Sequence, residues 1–234
     1  EKCNMKTMGL IGGMSWESSV EYYRITNRLV REMLGGHHSA KSIMYSFDFA
    51  EIETLQRQGD WDEATRRMIN AAIYLQKAGA DFIVICTNTM HLMAEEVEAA
   101  IDLPVLHIAD ATARAVQGKG ISSVGLLGTR FTMEKDFYRG RLEDQGLFVL
   151  VPDEEARKLV DRVIFDELVL GEIRGRSKAE YLAVIADLVE EGAEGIILGC
   201  TEIGLLVKDE DVDVPVFDTT LIHARAAVHA ALGE

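Results

Sequence analysis

Two stretches decide how this chain is organised: GADFIVICTNT at residues 79–89 and GAEGIILGCTE at residues 192–202. Each starts with Gly, Ala and an acid, runs through an apolar stretch the length of one strand, and ends in a polar turn. Each also follows an amphipathic helical pattern. Before 79–89, Asp60 and Glu63 have capping-box spacing, and Ala64, Met68, Ala71, Ala72 and Leu75 share one face. Gly79 then occupies the usual position just past a helix end.

The likeness extends outward in both directions. Upstream, Gly9-Leu10-Ile11-Gly12 matches Gly125-Leu126-Leu127-Gly128; downstream, Pro104-Val105 matches Pro215-Val216, and Arg114 and Arg225 follow at equal spacing. Three landmarks in the same order imply an internal duplication. Strands alternating with helices imply parallel α/β sheets. The expected fold is therefore α/β: two similar half-domains, each a parallel sheet flanked by helices, related by a pseudo-twofold with a site in the cleft between them. The halves are expected at 5–112 and 113–215, with about 216–234 packing back onto the first.

The repeat also fixes a registration. Thr87 stands eight residues after Gly79, and Cys200 stands eight after Gly192. Thr87 is thus the partner of Cys200, while Cys86 matches Gly199. Adjacent strand residues point to opposite faces, so if Cys200 faces a site, Thr87 does too and Cys86 faces away. Ligands of open α/β sheets bind beyond the carboxyl ends of strands, where the turns 12–15, 87–91, 128–132 and 200–204 fall. The helices after these turns would favour a thiolate and a substrate carboxylate through their first amides.

Composition narrows the function. With 24 Lys and Arg against 39 Asp and Glu, the net charge is −15, which argues against nucleic acid or an anionic membrane as partner. Hydrophobic residues at 48% support a packed core. The three cysteines, Cys3, Cys86 and Cys200, form no disulfide framework, and a reduced cytoplasmic setting is expected. No apolar run reaches the roughly 20 residues of a membrane span, and no signal peptide is read. Residues 1–4 are read as a tail before Met5, with Cys3 outside the chemistry. No cluster has metal-ligand spacing, and no lysine context suggests a pyridoxal Schiff base; neither metal nor cofactor is expected.

GLIGGMSWESS at 9–19, CTNTMH at 86–91, LLGTRFTM at 126–133 and GCTEIGLL at 199–206 together resemble the aspartate/glutamate racemase superfamily over nearly the whole chain from Met5. The resemblance implies a cofactor-independent racemase of acidic amino acids, working with one thiol from each half and commonly as a homodimer. This chain departs from that pattern where the first cysteine falls on Thr87; the second falls on Cys200. It is similar to a branch with Thr at the first position that prefers L-aspartate and L-glutamate. The residues expected to carry catalysis are Thr87 and Cys200. Cys200, as thiolate, would remove the α-proton and Thr87 would reprotonate the opposite face.

The resemblance assigns Met14 and Gln56 to the substrate pocket, against a packing methionine and a solvated helix end. Asn88, Thr89, Thr201, Glu202 and Thr129 sit in strand-end turns, where they can hold the substrate or cap helices; Glu202 can also balance the substrate ammonium or tune His and Cys neighbours. Thr132 is a further candidate of that kind. His91 can orient the site or relay protons, and His107 reads as a satisfied core histidine. Arg24, Arg57, Arg130 and Lys158 are the cations offered for a side-chain carboxylate. Competing functions are a hydantoin racemase, an arylmalonate-type decarboxylase, a maleate isomerase, an amino-acid-binding protein with impaired catalysis, and, with no local nucleophile motif behind it, a cysteine hydrolase using Cys200 with a His and Glu202.

Overall fold

The computed structural model describes residues 5–233; Cys3 lies outside them. Two compact units share the chain. One comprises residues up to His107 together with those from His223 onward; the other is Ile108–Ile222.

The first unit contains β1 (Met8–Gly12), α1 (Trp16–Leu34), β2 (Ser42–Ser46), α2 (Phe49–Gln58), α3 (Trp61–Lys77), β3 (Phe82–Ile85) and α4 (Ala94–Ala99). A short 3₁₀ helix, Thr89–Met93, follows β3. The second unit contains α5 (Ile108–Gln117), β4 (Ser123–Gly128), α6 (Arg130–Glu134), α7 (Asp136–Asp144), β5 (Phe148–Leu150), α8 (Glu154–Asp166), α9 (Gly175–Glu190), β6 (Ile196–Gly199), α10 (Ile203–Leu206) and β7 (Val216–Asp218). The last helix, α11 (Thr219–Leu232), begins in the second unit and continues in the first. Among the described residues, no helix is long and apolar enough to cross a membrane.

Both sheets are parallel and share one order. In the first unit it is β2-β1-β3, extended by a parallel bridge from Ile83 to Val105. In the second it is β5-β4-β6-β7. The duplication persists at the level of single hydrogen bonds. Ile83 N–H donates to Pro104 C=O at 2.9 Å, and Ile196 N–H to Pro215 C=O at 2.9 Å. Asp81 N–H donates to Thr7 C=O, and Glu194 N–H to Ser123 C=O. Leu10 pairs with Val84 across β1 and β3, as Leu126 pairs with Ile197 across β4 and β6. The same register carried along the chain places Thr87 and Cys200 at equivalent points, two residues past Ile85 and Leu198.

α3 shows how sequence becomes packing. Ala64, Met68, Ala71, Ala72 and Leu75 are its buried residues, and they join Ile11, Ile83 and Ile85 in the first unit's core. Asp60 caps the helix by accepting from Glu63 N–H at 3.2 Å. The capping box is not reciprocal: the Glu63 carboxylate goes instead to Arg66 and Arg67, because a charged guanidinium is the stronger donor. In the second unit Leu127, Ile164, Tyr181, Ile185, Leu188 and Leu198 build the corresponding core. α5 belongs to this unit because Ile108, Ala109, Ala113 and Val116 pack with Val124, Leu126 and Phe217.

Candidate active site

In each unit the candidate turns follow the carboxyl ends of the two central strands. In the first, the serines of GGMSWESS fasten the start of α1 to the end of β3. Ser19 Oγ accepts from Gly13 N–H at 2.8 Å and donates to Ser15 C=O at 3.0 Å. Ser18 Oγ donates to Cys86 C=O at 2.8 Å. Gly13 has φ +82°, and a Cβ there would lie 2.2 Å from Phe47 O, so the loop admits only glycine.

Cys86 lies on the buried side of this junction. It is 0% exposed, its N–H bonds to Ile11 C=O, and its Sγ lies 3.8 Å from Val84 O. Burial pushes the thiol far above its ordinary range. A thiol whose ionisation is so disfavoured is a poor nucleophile and a poor base. Cys86→Ala should therefore leave turnover within about twofold while costing about 1 kcal/mol of stability from lost packing; initial rates and a denaturant melt check the two parts. In the second unit the matching residue is Gly199, where a Cβ would stand 2.8 Å from Leu127 O.

Thr87 is partly exposed, and its carbonyl accepts from His91 Nδ1 at 2.8 Å. Asn88 and Thr89 are buried at the start of the 3₁₀ helix. Gln56 is also buried, on α2, and its Nε2 donates to Met90 Sδ at 3.2 Å; it is not a solvated helix end. Met14 is 4% exposed and packs in the core with Ile11, Ile52 and Leu55.

In the second unit, Cys200 is partly exposed and rests against the core. Its thiol donates to Glu202 Oε2 at 3.0 Å, and Thr201 Oγ1 donates to the same oxygen at 2.6 Å. Glu202 is only 4% exposed. Burial first, then the charge of Glu202 and its hydrogen bond, hold the Cys200 thiol well above its ordinary value; Asp161 adds to the effect. The sequence reading has helix amides favouring the thiolate; burial and Glu202 act in the opposite direction. Helix α10 has only four residues, so its dipole is small, and the nearest full charge is negative. Cys200 rests as a thiol beside a built-in carboxylate acceptor.

Thr129 caps α6, its Oγ1 accepting from Thr132 N–H at 3.3 Å. The four cations offered by the sequence all pair with glutamates on their own helices: Arg24 with Glu21, Arg57 with Glu53, Arg130 with Glu134, and Lys158 with Glu154 and Glu155. The sequence offers Glu202 as a residue that can tune His and Cys neighbours; the structure gives that reading a direct contact with the Cys200 thiol, across a two-residue spacing in a tight turn.

Known proteins share this fold. The family model described as Asp/Glu/hydantoin racemase matches residues 11–227. The chain belongs to that family. A protein from Yersinia pestis described as an Asp/Glu racemase is 57% identical, with a TM-score of 0.91 over 97% of this chain and all of that one. An aspartate racemase homologue from Pyrococcus horikoshii OT3 is 38% identical, with a TM-score of 0.85 over 97% of this chain and 99% of that one. A broad-specificity amino-acid racemase of Bacillus subtilis (strain 168) is 27% identical over 176 residues, 74% of each chain. The relatives named here are racemases or a racemase homologue, and racemases move a proton at a stereogenic carbon.

Proposed function

We propose that the protein racemises aspartate or glutamate without a cofactor, with Cys200 and Glu202 serving one face of the α-carbon and Thr87 the other. The observation that carries this reading is the equivalence of Thr87 and Cys200 in two repeats of one fold, with a carboxylate 3.0 Å from the only thiol of the pair. In the proposed sequence, Cys200 passes its S–H proton to Glu202 and becomes a thiolate. The thiolate takes the α-proton of the L substrate, leaving the electron pair in an enolate. Thr87 Oγ–H then delivers its proton to the opposite face, and water restores the threonine hydroxyl while Glu202 returns its proton to solvent. Within this reading, Asn88, Thr89 and Thr201 hold the substrate's α-carboxylate and ammonium, with Met14 and Gln56 supporting the pocket wall.

The test is incubation with L-aspartate or L-glutamate in deuterated water, following the α-proton signal and the enantiomer ratio. Loss of the α-proton together with appearance of the D form is expected. Binding without exchange would instead mark a non-catalytic amino-acid-binding protein, and release of carbon dioxide a decarboxylase.

Glu202→Gln separates the two effects of the carboxylate. Removing its charge takes away a cause that raises the Cys200 pKa, so the thiolate forms at lower pH. Alkylation by iodoacetamide should accordingly begin at lower pH than in the wild type. Racemisation should nevertheless fall about 10²-fold, because the acceptor of the thiol proton is gone. Parallel loss of alkylation and racemisation would contradict this assignment.

A further inference from the structure

The first unit buries three histidines that no sequence motif groups together. His91, His107 and His223 are 2%, 6% and 0% exposed. The ring centroids of His91 and His107 are 4.7 Å apart, and those of His91 and His223 are 5.6 Å apart. The protons of this cluster can be placed from its partners. His223 Nε2 lies 2.7 Å from Leu106 O, and Nδ1 lies 2.7 Å from the Tyr22 hydroxyl. A carbonyl only accepts, so Nε2 carries a proton. Burial above all, and then His91, hold the pKa of His223 down at about 3. The ring is therefore neutral, and Nδ1 accepts from Tyr22. His91 Nδ1 faces the Thr87 carbonyl at 2.8 Å, so Nδ1 carries a proton; the backbone of Asn88 and Leu106 also bonds to His91. Burial first, then His107, keep His91 well below its ordinary pKa.

The two ends of this cluster are unlike. Tyr22 on α1, Leu106 beside the parallel bridge, and His223 on α11 are framework. Thr87 is the strand-end residue whose hydroxyl the proposed reaction uses. The N–H of His91 goes to Asn88 C=O at 3.0 Å, while its ring takes the carbonyl of Thr87. Threonine is stiff about χ1, so the direction of its hydroxyl follows its backbone, and a bond to its own carbonyl fixes that backbone.

We propose that His91 is a positioning residue for Thr87: its Nδ1–H holds the Thr87 carbonyl, and His223, anchored by Tyr22 and Leu106, backs the His91 ring. The activity part of the test rests on the racemase reading above; the geometry does not. Two amides separate positioning from mere packing. The side-chain nitrogen of asparagine can occupy the place of Nδ1, whereas that of glutamine reaches the place of Nε2. His91→Gln should lower racemisation tenfold or more through kcat, with KM within threefold and with α-proton wash-in from the L substrate kept. His91→Asn should recover racemisation to within threefold of wild type. A packing role would lower wash-in and racemisation together and leave asparagine no better than glutamine; either result overturns the proposal. Nitrogen-15 chemical shifts of the wild-type imidazoles give a readout independent of turnover. The Nδ1–H form of His91 is expected, and the Nε2–H form overturns the clamp even if the protein proves active. If the wild type neither exchanges nor racemises either enantiomer, the functional reading fails, and the imidazole shifts alone decide the clamp.

Discussion

Replacing Cys200 with serine is expected to lower racemisation by about 10³-fold or more while leaving the fold intact. The substitution exchanges one atom of similar reach, and a serine hydroxyl can still donate to Glu202, so the hydrogen bond at 3.0 Å keeps a donor. What is lost is acidity. A thiol ordinarily titrates near 8.5, whereas a serine hydroxyl lies several units higher. Burial and the Glu202 charge already raise the Cys200 thiol, and the same neighbours would act on the alcohol. Proton transfer to a buried carboxylate then becomes too costly to produce a usable base. General base catalysis is worth about 10²–10⁴-fold; the upper part of that range applies where the base itself disappears. The measurement is deuterium wash-in from the L substrate beside the thermal melting curve. An unchanged melt with no wash-in is expected. Wash-in within tenfold of wild type would remove Cys200 from the reaction.

The repeat was legible because it is written in residues with strong local meaning. Gly79 and Gly192 both have positive φ, +96° and +108°, and mark the ends of α3 and α9. Pro104 and Pro215 both place a carbonyl on the central strand. Those landmarks fix the register, and the register aligns Thr87 with Cys200. The buried face of α3 was equally readable, since its apolar spacing admits one orientation only. The electrostatics of the site were not. Whether a strand-end cysteine meets helix amides or a carboxylate depends on how far the next helix runs, and α10 stops after four residues. The turn folds Glu202 inward because Ile203 and Leu206 must be buried in the second unit's core; no local propensity announces this. The histidine cluster was unreadable for a different reason. His91, His107 and His223 come from separate segments, and only the path of α11 into the first unit brings His223 to His91.

Thr87→Val should prove the most informative change in the first unit. Valine keeps the branched shape and the stiffness about χ1 and removes only the hydroxyl. Racemisation is expected to fall about 10²–10⁴-fold, the usual worth of a positioned proton donor. Wash-in of deuterium from the L substrate should persist, because Cys200 still removes the α-proton, and the thiol exchanges it with solvent deuterium before reprotonating the same face. The distinction follows from the chemistry of the two groups. A hydroxyl can give a proton to a carbanion, which is far more basic, but it is a poor base toward a carbon acid. Wild-type exchange should therefore be rapid from the L form and slow from the D form. Equilibrium sets the ratio of kcat/KM values for the two directions near one, so the lower kcat from the D side must be matched by a lower KM. Thr87→Cys supplies the converse. A thiol at position 87 can serve as a base, so wash-in from the D substrate should rise tenfold or more while L-side exchange changes little. Equal exchange from both enantiomers in the wild type, or a valine variant that still racemises within tenfold, would mean that the second proton comes from another group.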